Sequence, residues 1–338
     1  MDSLTHIAVG ACIGESFFER GFGKKAMFWG ALAQSIPDID FIASLWLSPA
    51  EALLAHRGFT HSLLFVLLIA PVFAILADRF HRPHNIRFSK WLIFFYVEVL
   101  LHVWIDLQNS YGIGLMEPFS HQRFSFNTLF VADPFFSLIP AFAFLILLIL
   151  NAHHRRRGFW FKLGIVVPFV YMFYGFYNKY QVTHNIQQSI KAHHFKSVSF
   201  FSTPAPLQNW LWYVVIQQDS GFQIGYTSIF DSNKNIRYRY YPQHKNLLKN
   251  IADHESLQRL MRFSQGYYTV VQSGDTLVFN DLRFQQIVGW EKGRSQFVFH
   301  YYLQHPSDNK LVVQRGRFDQ WDGSVFKRYV KRVLGENQ

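Results

Sequence analysis

Four apolar runs, at residues 61–78, 91–108, 133–151 and 159–177, constrain this chain more than any other feature. Each approaches the ~20 residues a helix needs to cross a bilayer, and backbone in hydrocarbon must satisfy its own hydrogen bonds. All four are therefore predicted to be transmembrane helices. Two shorter stretches precede them. Residues 3–19 set small and apolar side chains around His6 at helical spacing, behind Asp2 or Ser3 as N-cap, and Ala26 to Ile36 is apolar until Pro37 stops it. Neither reaches a comfortable span, so both are read as short helices, re-entrant or packed on protein. Basic residues set a direction. Arg20, Lys24 and Lys25, then Arg79, Arg82, Arg87 and Lys90, then Arg155, Arg156, Arg157 and Lys162 occupy turns between runs, and short basic loops stay cytoplasmic. If every run crosses, residues 37–60 and 107–133 lie outside, where Arg57 and Arg123 are the only basic residues before position 178. No cleavable signal peptide is apparent, since Asp2 replaces a basic region and no small-residue cleavage site follows a short apolar core.

Composition matters here because it is an average of two unlike halves. Only 16% of residues are charged while 50% are hydrophobic, yet mean hydropathy is only +0.03. Residues 1–177 hold 13 Lys and Arg against 11 Asp and Glu, whereas residues 178–338 hold 20 against 11. From about 180, segments 195–202, 210–218, 221–230, 235–241, 266–273, 276–280 and 296–304 are rich in Val, Ile, Tyr, Phe and Trp between turn residues, and read as strands. Residues 254–263 and 322–334 read as helices. The predicted fold is an all-α membrane helix bundle over residues 1–180, with four clear transmembrane helices plus two short N-terminal helices. A β-rich extramembrane domain follows over 181–338, on the non-cytoplasmic side, because long domains translocate largely regardless of charge. No nucleic-acid motif accompanies the basicity. Membrane lipids, their anionic headgroups or a lipid-linked substrate are the expected partners. Cys12, the single cysteine, rules out an internal disulfide framework and a Cys-rich zinc site.

The chemistry-bearing residues fall in four pieces: Asp2-Ser3-Leu4-Thr5-His6, Pro37-Asp38-Ile39-Asp40, His56-Arg57-Gly58-Phe59-Thr60-His61-Ser62 and His102-Val103-Trp104-Ile105-Asp106. The predicted topology puts all four near the non-cytoplasmic end of the bundle. Imidazoles and carboxylates are the usual ligands of a catalytic divalent metal. His102 and Asp106, four apart on a helix, share a face, and Glu98 extends it one turn deeper. Gly58 permits a turn that aims His56 and His61 inward, leaving Arg57 for an anionic substrate group. Each piece has a plainer reading too: a self-satisfied Glu98–His102–Asp106 ladder, a capping turn at Asp38 and Asp40, a packing role for His6. His121, beside Ser120 and Arg123, is a candidate for the pocket wall. His81, His84, His153 and His154 sit in basic loops and are expected to face solvent or headgroups.

These motifs, with Tyr111-Gly112, Pro118-Phe119-Ser120 and Asp133-Pro134, resemble the membrane-bound metal-dependent hydrolase family (YdjM-like) over roughly residues 1–180. That family is distantly similar to zinc-dependent phospholipase C and P1-type nucleases, which carry a comparable His-x-x-x-Asp on a helix. The resemblance implies an all-helical metal-hydrolase core in the inner membrane. It implies His6, Asp38, Asp40, His56, His61, His102 and Asp106 as metal ligands, for one or two divalent ions. Zinc is the first choice, with manganese or magnesium as alternatives. The expected activity is hydrolysis of a phosphoester or lipid-linked ester by metal-activated water. Arg57 would neutralise developing charge, and Asp40 or Glu98 would act as general base. Two other classes stay open. A non-catalytic anchor or regulatory protein would use the metal only to staple the bundle, and a metal-ion transporter would spread ligands through the membrane depth.

Overall fold

Helix α1 (Ser3–Phe17) starts where the Asp2 carboxylate accepts the Thr5 backbone N–H at 3.0 Å in the computed structural model, a side-chain N-cap. The structure describes residues 1–18, 22–82, 86–196, 199–233, 235–291, 296–309, 318 and 321–336, so Arg20 and His84 lie outside the described residues. Two compact units emerge: Met1–Leu45 with Ala55–Gly175, and Trp46–Leu54 with Phe176–Gln338.

In the first unit, α1 packs on α2 (Lys24–Ser35) at a backbone-to-backbone crossing. A Cβ on Gly30 would sit 2.0 Å from the Gly10 carbonyl oxygen, and one on Gly10 would sit 2.4 Å from that of Gly30. Only glycine permits that approach, the small-residue packing typical of helices in membranes. A 3₁₀ segment, Pro37–Leu45, precedes a short helix α3 (Pro49–Ala55), nearly all of it counted with the second unit, and a 3₁₀ turn at Phe59–His61 follows. Ser62 then caps α4 (Leu63–Phe80) by accepting the Phe65 N–H at 3.1 Å. Ala70, Ala74 and Ala77 of α4 are fully buried with Trp91, Phe94 and Phe95 of the antiparallel helix α5 (Phe88–Asp106). Leu67, Leu68, Val72 and Ile75 stay exposed, the lipid-facing side of a helix whose mean hydropathy is 2.3. His81, expected to face solvent or headgroups, instead accepts the Trp29 indole N–H at 2.7 Å and stacks on Trp91. His153 and His154 are exposed.

Three of the four expected spans reach the length of a crossing. Among the described residues, three helices are long and apolar enough to cross a membrane: α4, α5 and α7 (Arg157–Ala192). The run at 133–151 shortens to a 16-residue helix α6 (Pro134–Ile149), because Asp133 is taken as N-cap and Leu150 turns extended. At 1.5 Å per residue α6 is about 24 Å long, less than the ~30 Å hydrocarbon core. The last run is longer than expected. α7 has 36 residues, since no Pro or Gly interrupts it between 176 and 192. Arg157, at its start, is buried: it donates to Glu15 Oε1 at 2.6 Å and Oε2 at 2.7 Å, and to the Leu147 and Leu150 carbonyls at 2.7 and 2.8 Å. It thereby takes up carbonyls freed at the end of α6.

The second unit is the β-rich part. β1 (Ser199–Pro204), β2 (Leu211–Gln217), β3 (Gly221–Ser228) and β4 (Tyr238–Pro242) form an antiparallel sheet in sequence order. β5 (Tyr268–Ser273), β6 (Thr276–Asp281) and β7 (His300–Tyr302) form a second. Both faces of β2 are covered. Trp212, Val214 and Ile216 meet Val182 and Ile186 of α7, while Leu211, Tyr213 and Val215 meet Leu282, Tyr329 and Val333. The unit also includes α8 (His254–Phe263) and α9 (Gly323–Val333). Both match the predicted helices to within a residue at each end.

Candidate metal centre

His61 closes the 3₁₀ turn just before α4, and His102 and Asp106 occupy the last turn and a half of α5. Because α4 and α5 run antiparallel, the three meet at one end of the pair. Asp38, just past α2, completes a cluster whose four ligand atoms all lie within 4.8 Å of one another. His61 Nε2 is 3.1 Å from His102 Nε2, 3.6 Å from Asp38 Oδ1 and 3.3 Å from Asp106 Oδ2. His102 Nε2 is 3.7 Å from Asp38 Oδ1 and 3.8 Å from Asp106 Oδ2. A tetrahedral zinc with bonds of about 2.1 Å separates its ligand atoms by roughly 3.4 Å. The five separations cited here scatter about that length.

Outer partners decide which ring nitrogens carry lone pairs. His102 Nδ1 lies 2.6 Å from the Gln34 carbonyl oxygen. A carbonyl only accepts, so Nδ1 carries the proton and Nε2 the lone pair in the neutral ring. His61 Nδ1 lies 3.4 Å from Asp40 Oδ2 and 3.1 Å from Thr60 Oγ1, whose own hydroxyl donates to Asp40 Oδ2 at 2.9 Å. The same logic turns the His61 Nε2 lone pair inward. Two lone pairs and two carboxylate oxygens thus converge on one point, the second-layer arrangement that orients metal-ligating histidines. Asp106 Oδ2 is buried and, although 3.0 Å from Arg57 Nε, is aligned with no hydrogen-bond donor. This donor set fits a divalent cation.

The electrostatics agree. Burial alone would lower the His61 pKa, but hydrogen bonds to Asp106, Asp38 and Asp40 outweigh it and raise it to about 10. Burial would raise Asp38 and Asp40, yet the His61 bond to Asp38, and the His56 and His61 bonds to Asp40, hold both well below the usual carboxylate range. At neutral pH both are anions crowded at a site that calls for positive charge.

The other expected site residues surround this tetrad. His6 stacks on His102 with centroids 3.9 Å apart, and its Nε2 lies 3.3 Å from Asp106 Oδ1, the oxygen that the Met1 amino group also contacts. Asp40 is an orienting group: it accepts from His56 Nδ1 at 2.9 Å and from the Arg57 backbone N–H at 2.7 Å. Arg57, non-glycine at φ 59, holds that turn in the left-handed region. Its guanidinium is turned inward, to Asp106, to Asn109 Oδ1 at 2.6 Å and to the Met1 carbonyl at 3.1 Å, rather than outward to a substrate. His56 stands at the rim, its side chain 38% exposed. Glu98 lies outside the tetrad, linked to it through Gln34, which donates to Glu98 Oε2 at 3.1 Å and faces His6 Nδ1 at 3.2 Å. His121 points away to Glu117 and is exposed. Asp133 caps α6 and accepts from Tyr171 at 2.9 Å. Sequence reasoning missed Gln34 and Asn109. Gln34 had a signal, as an amide inside the apolar stretch 26–36; Asn109 had none beyond following Asp106.

The YdjM inner membrane protein family matches residues 1–182, more than half of the chain and all of the tetrad. The chain belongs to the YdjM family. Within that setting, the inner membrane protein YbcI of Escherichia coli (strain K12) is 31% identical over 123 residues, 36% of this chain and 69% of YbcI. The protein named uncharacterized YfhP of Bacillus subtilis (strain 168) is 31% identical over 142 residues, 40% of this chain. That alignment spans only 42% of YfhP. No solved structure matches. YdjM membership and the apolar helices make the protein an integral inner membrane protein.

Proposed function

We propose that this YdjM-family protein is a metal-dependent hydrolase acting at the membrane surface on a phosphoester or lipid-linked ester. One observation carries the reading: two imidazole nitrogens and two carboxylate oxygens, from Asp38, His61, His102 and Asp106, gather within 4.8 Å of one another, and the separations cited above run from 3.1 to 3.8 Å. Zinc suits this mixed nitrogen and oxygen set, with manganese or magnesium as alternatives. In a two-ion form, His6 and the second oxygen of Asp106 would serve the other position.

A divalent cation so held supplies an acidified water and polarises an ester oxygen. The remaining work belongs to the chain. Asp40 and the Gln34 carbonyl hold the two imidazoles in their ligand tautomers. Arg57 keeps Asp106 in place and balances its charge. Of the four ligands only Asp38 reaches solvent, its side chain 13% exposed, so substrate approaches from that side. His56, oriented by Asp40 in a carboxylate–imidazole pair at this rim, moves the proton at its Nε2. Glu98, one turn from His102 and held by Gln34, stays outside the tetrad. The cluster sits where α4 begins and α5 ends, at headgroup level for helices that span, which favours a lipid substrate. Phosphoester over carboxylic ester rests on the resemblance to phospholipase C-like enzymes. The basic loops support a non-cytoplasmic site, and with the short α6 crossing a locally thinned bilayer the C-terminal domain would follow on the same side.

A second reading, the metal-stapled anchor, draws support from the complete burial of His61, His102 and Asp106. The transporter reading has less, since the ligands gather at one end of the helices. Metal analysis of detergent-purified wild type, His61→Ala and His56→Ala, followed by phosphodiester and phospholipid assays, separates them. Hydrolysis that both substitutions abolish, with metal lost in His61→Ala alone, supports the enzyme. Stoichiometric metal without hydrolysis of any ester supports the anchor. Wild type that takes up no metal on reloading overturns both.

A further inference from the structure

The second unit holds a cavity of about 340 Å³, remote in sequence from the metal ligands and independent of the hydrolase reading. Its floor is one face of the β3–β4 edge. Ile224 pairs with Arg239 across the strands and Phe222 with Tyr241, so Arg239 and Tyr241 rise on the same face as Ile224 and Tyr226. Trp290 forms the facing wall, its ring packed on Tyr329 at 4.6 Å and Trp321 at 5.0 Å. Asn233, Asn235 and Gln286 bring amides, and Gln286 Nε2 is anchored on the Tyr241 hydroxyl at 2.9 Å.

The charges in the wall are unevenly matched. Both carboxylates are taken: Asp231 accepts two hydrogen bonds from Arg332, at 2.6 and 3.0 Å, and Glu291 accepts from Arg328 at 2.7 Å. The Arg239 side chain has no ion-pair or hydrogen-bond partner among the described residues. The Trp290 indole Nε1–H is buried and likewise without an acceptor. A half-buried guanidinium and an orphaned buried donor each call for an acceptor. The volume lies at the low end for small-molecule sites, and flat aromatic faces beside amides suit a ring that carries hydroxyls.

We propose that this cavity binds a monosaccharide-sized sugar bearing an anionic group, with the anion on Arg239 and the ring against Trp290 and Tyr241. Carboxylate and phosphate share the chemistry that Arg239 recognises. The test is calorimetric titration of full-length protein in detergent, with chelator present to silence the metal centre. The probes are glucuronate, glucose-6-phosphate, glucose and inorganic phosphate. The expected result is binding of one or both anionic sugars, with glucose and phosphate weaker. Arg239→Ala then weakens it roughly tenfold or more. Trp290→Phe, which keeps an aromatic face but removes the donor, weakens it several-fold while the protein stays folded by thermal melting, and His61→Ala binds as wild type does. Three outcomes overturn the proposal: neither anionic sugar binds, Arg239→Ala binds normally, or inorganic phosphate binds as tightly as either sugar. Loss of binding in His61→Ala would also overturn it, by moving the ligand to the metal cluster.

Discussion

His61 illustrates how much one residue is asked to do: its Nδ1 faces Asp40 while its Nε2 faces three potential co-ligands. Without a cation its pKa near 10 keeps it protonated at neutral pH, whereas a ligand must be neutral. The sign follows: metal uptake expels that proton, and below pH 10 affinity rises with pH, by about tenfold per unit for this group alone. Zinc titrations in buffers of different ionisation enthalpy should show release of a proton per ion near neutrality; buffer-independent heats would contradict this. Asp40→Asn keeps the shape of the second layer but weakens its hold on the imidazole proton. It should lower metal affinity about 10–100-fold, read by competition with a chromogenic chelator. His56→Ala should leave metal content intact and lower turnover by roughly 10²–10⁴-fold.

At the scale of elements, two joints hold the first unit together away from the candidate metal site. The α1–α2 crossing places Gln34 behind both His6 and His102, and it closes only because Gly10 and Gly30 lack side chains. Gly30→Ala forces those backbones apart and should destabilise the first unit by about 1–3 kcal/mol, seen as a lower unfolding temperature in detergent. The second joint is the buried Arg157–Glu15 pair. Arg157→Ala alone strands a buried carboxylate and is expected to cost about 3–5 kcal/mol, while Glu15→Leu with Arg157→Met should recover most of it. An equal loss in both variants would mean that the carbonyls of α6, not the charge pair, carry the joint.

For the whole molecule, direction in the membrane is the property most open to test. With Cys12 replaced by Ser, a single cysteine at His121 should react with an impermeant maleimide in intact spheroplasts. Cysteines at Arg82 or His154 should react only after permeabilisation. The reverse pattern would invert the proposed orientation of site and C-terminal domain. Several features were legible without coordinates, because they are local. Apolar runs announced α4, α5 and the first half of α7, and alternation between turns announced the strands. His102 and Asp106 declared a shared face by spacing alone. Other features depended on what surrounds a segment. The 16-residue length of α6 turned on Asp133 becoming a cap, and the polar residues after 177 hid a stripe of Val182 and Ile186 that continues α7 against the sheet. Of the expected ligands, composition could not separate those that converge from those that orient. Asp38 and Asp40 stand two residues apart with the same chemistry, yet one faces the cluster and the other the back of His61. Periodicity along the chain determined the helices, the strands and the pool of metal-binding groups. Which atoms of that pool meet was decided only by tertiary packing, since ligand geometry is a relation between side chains that sequence spacing does not carry.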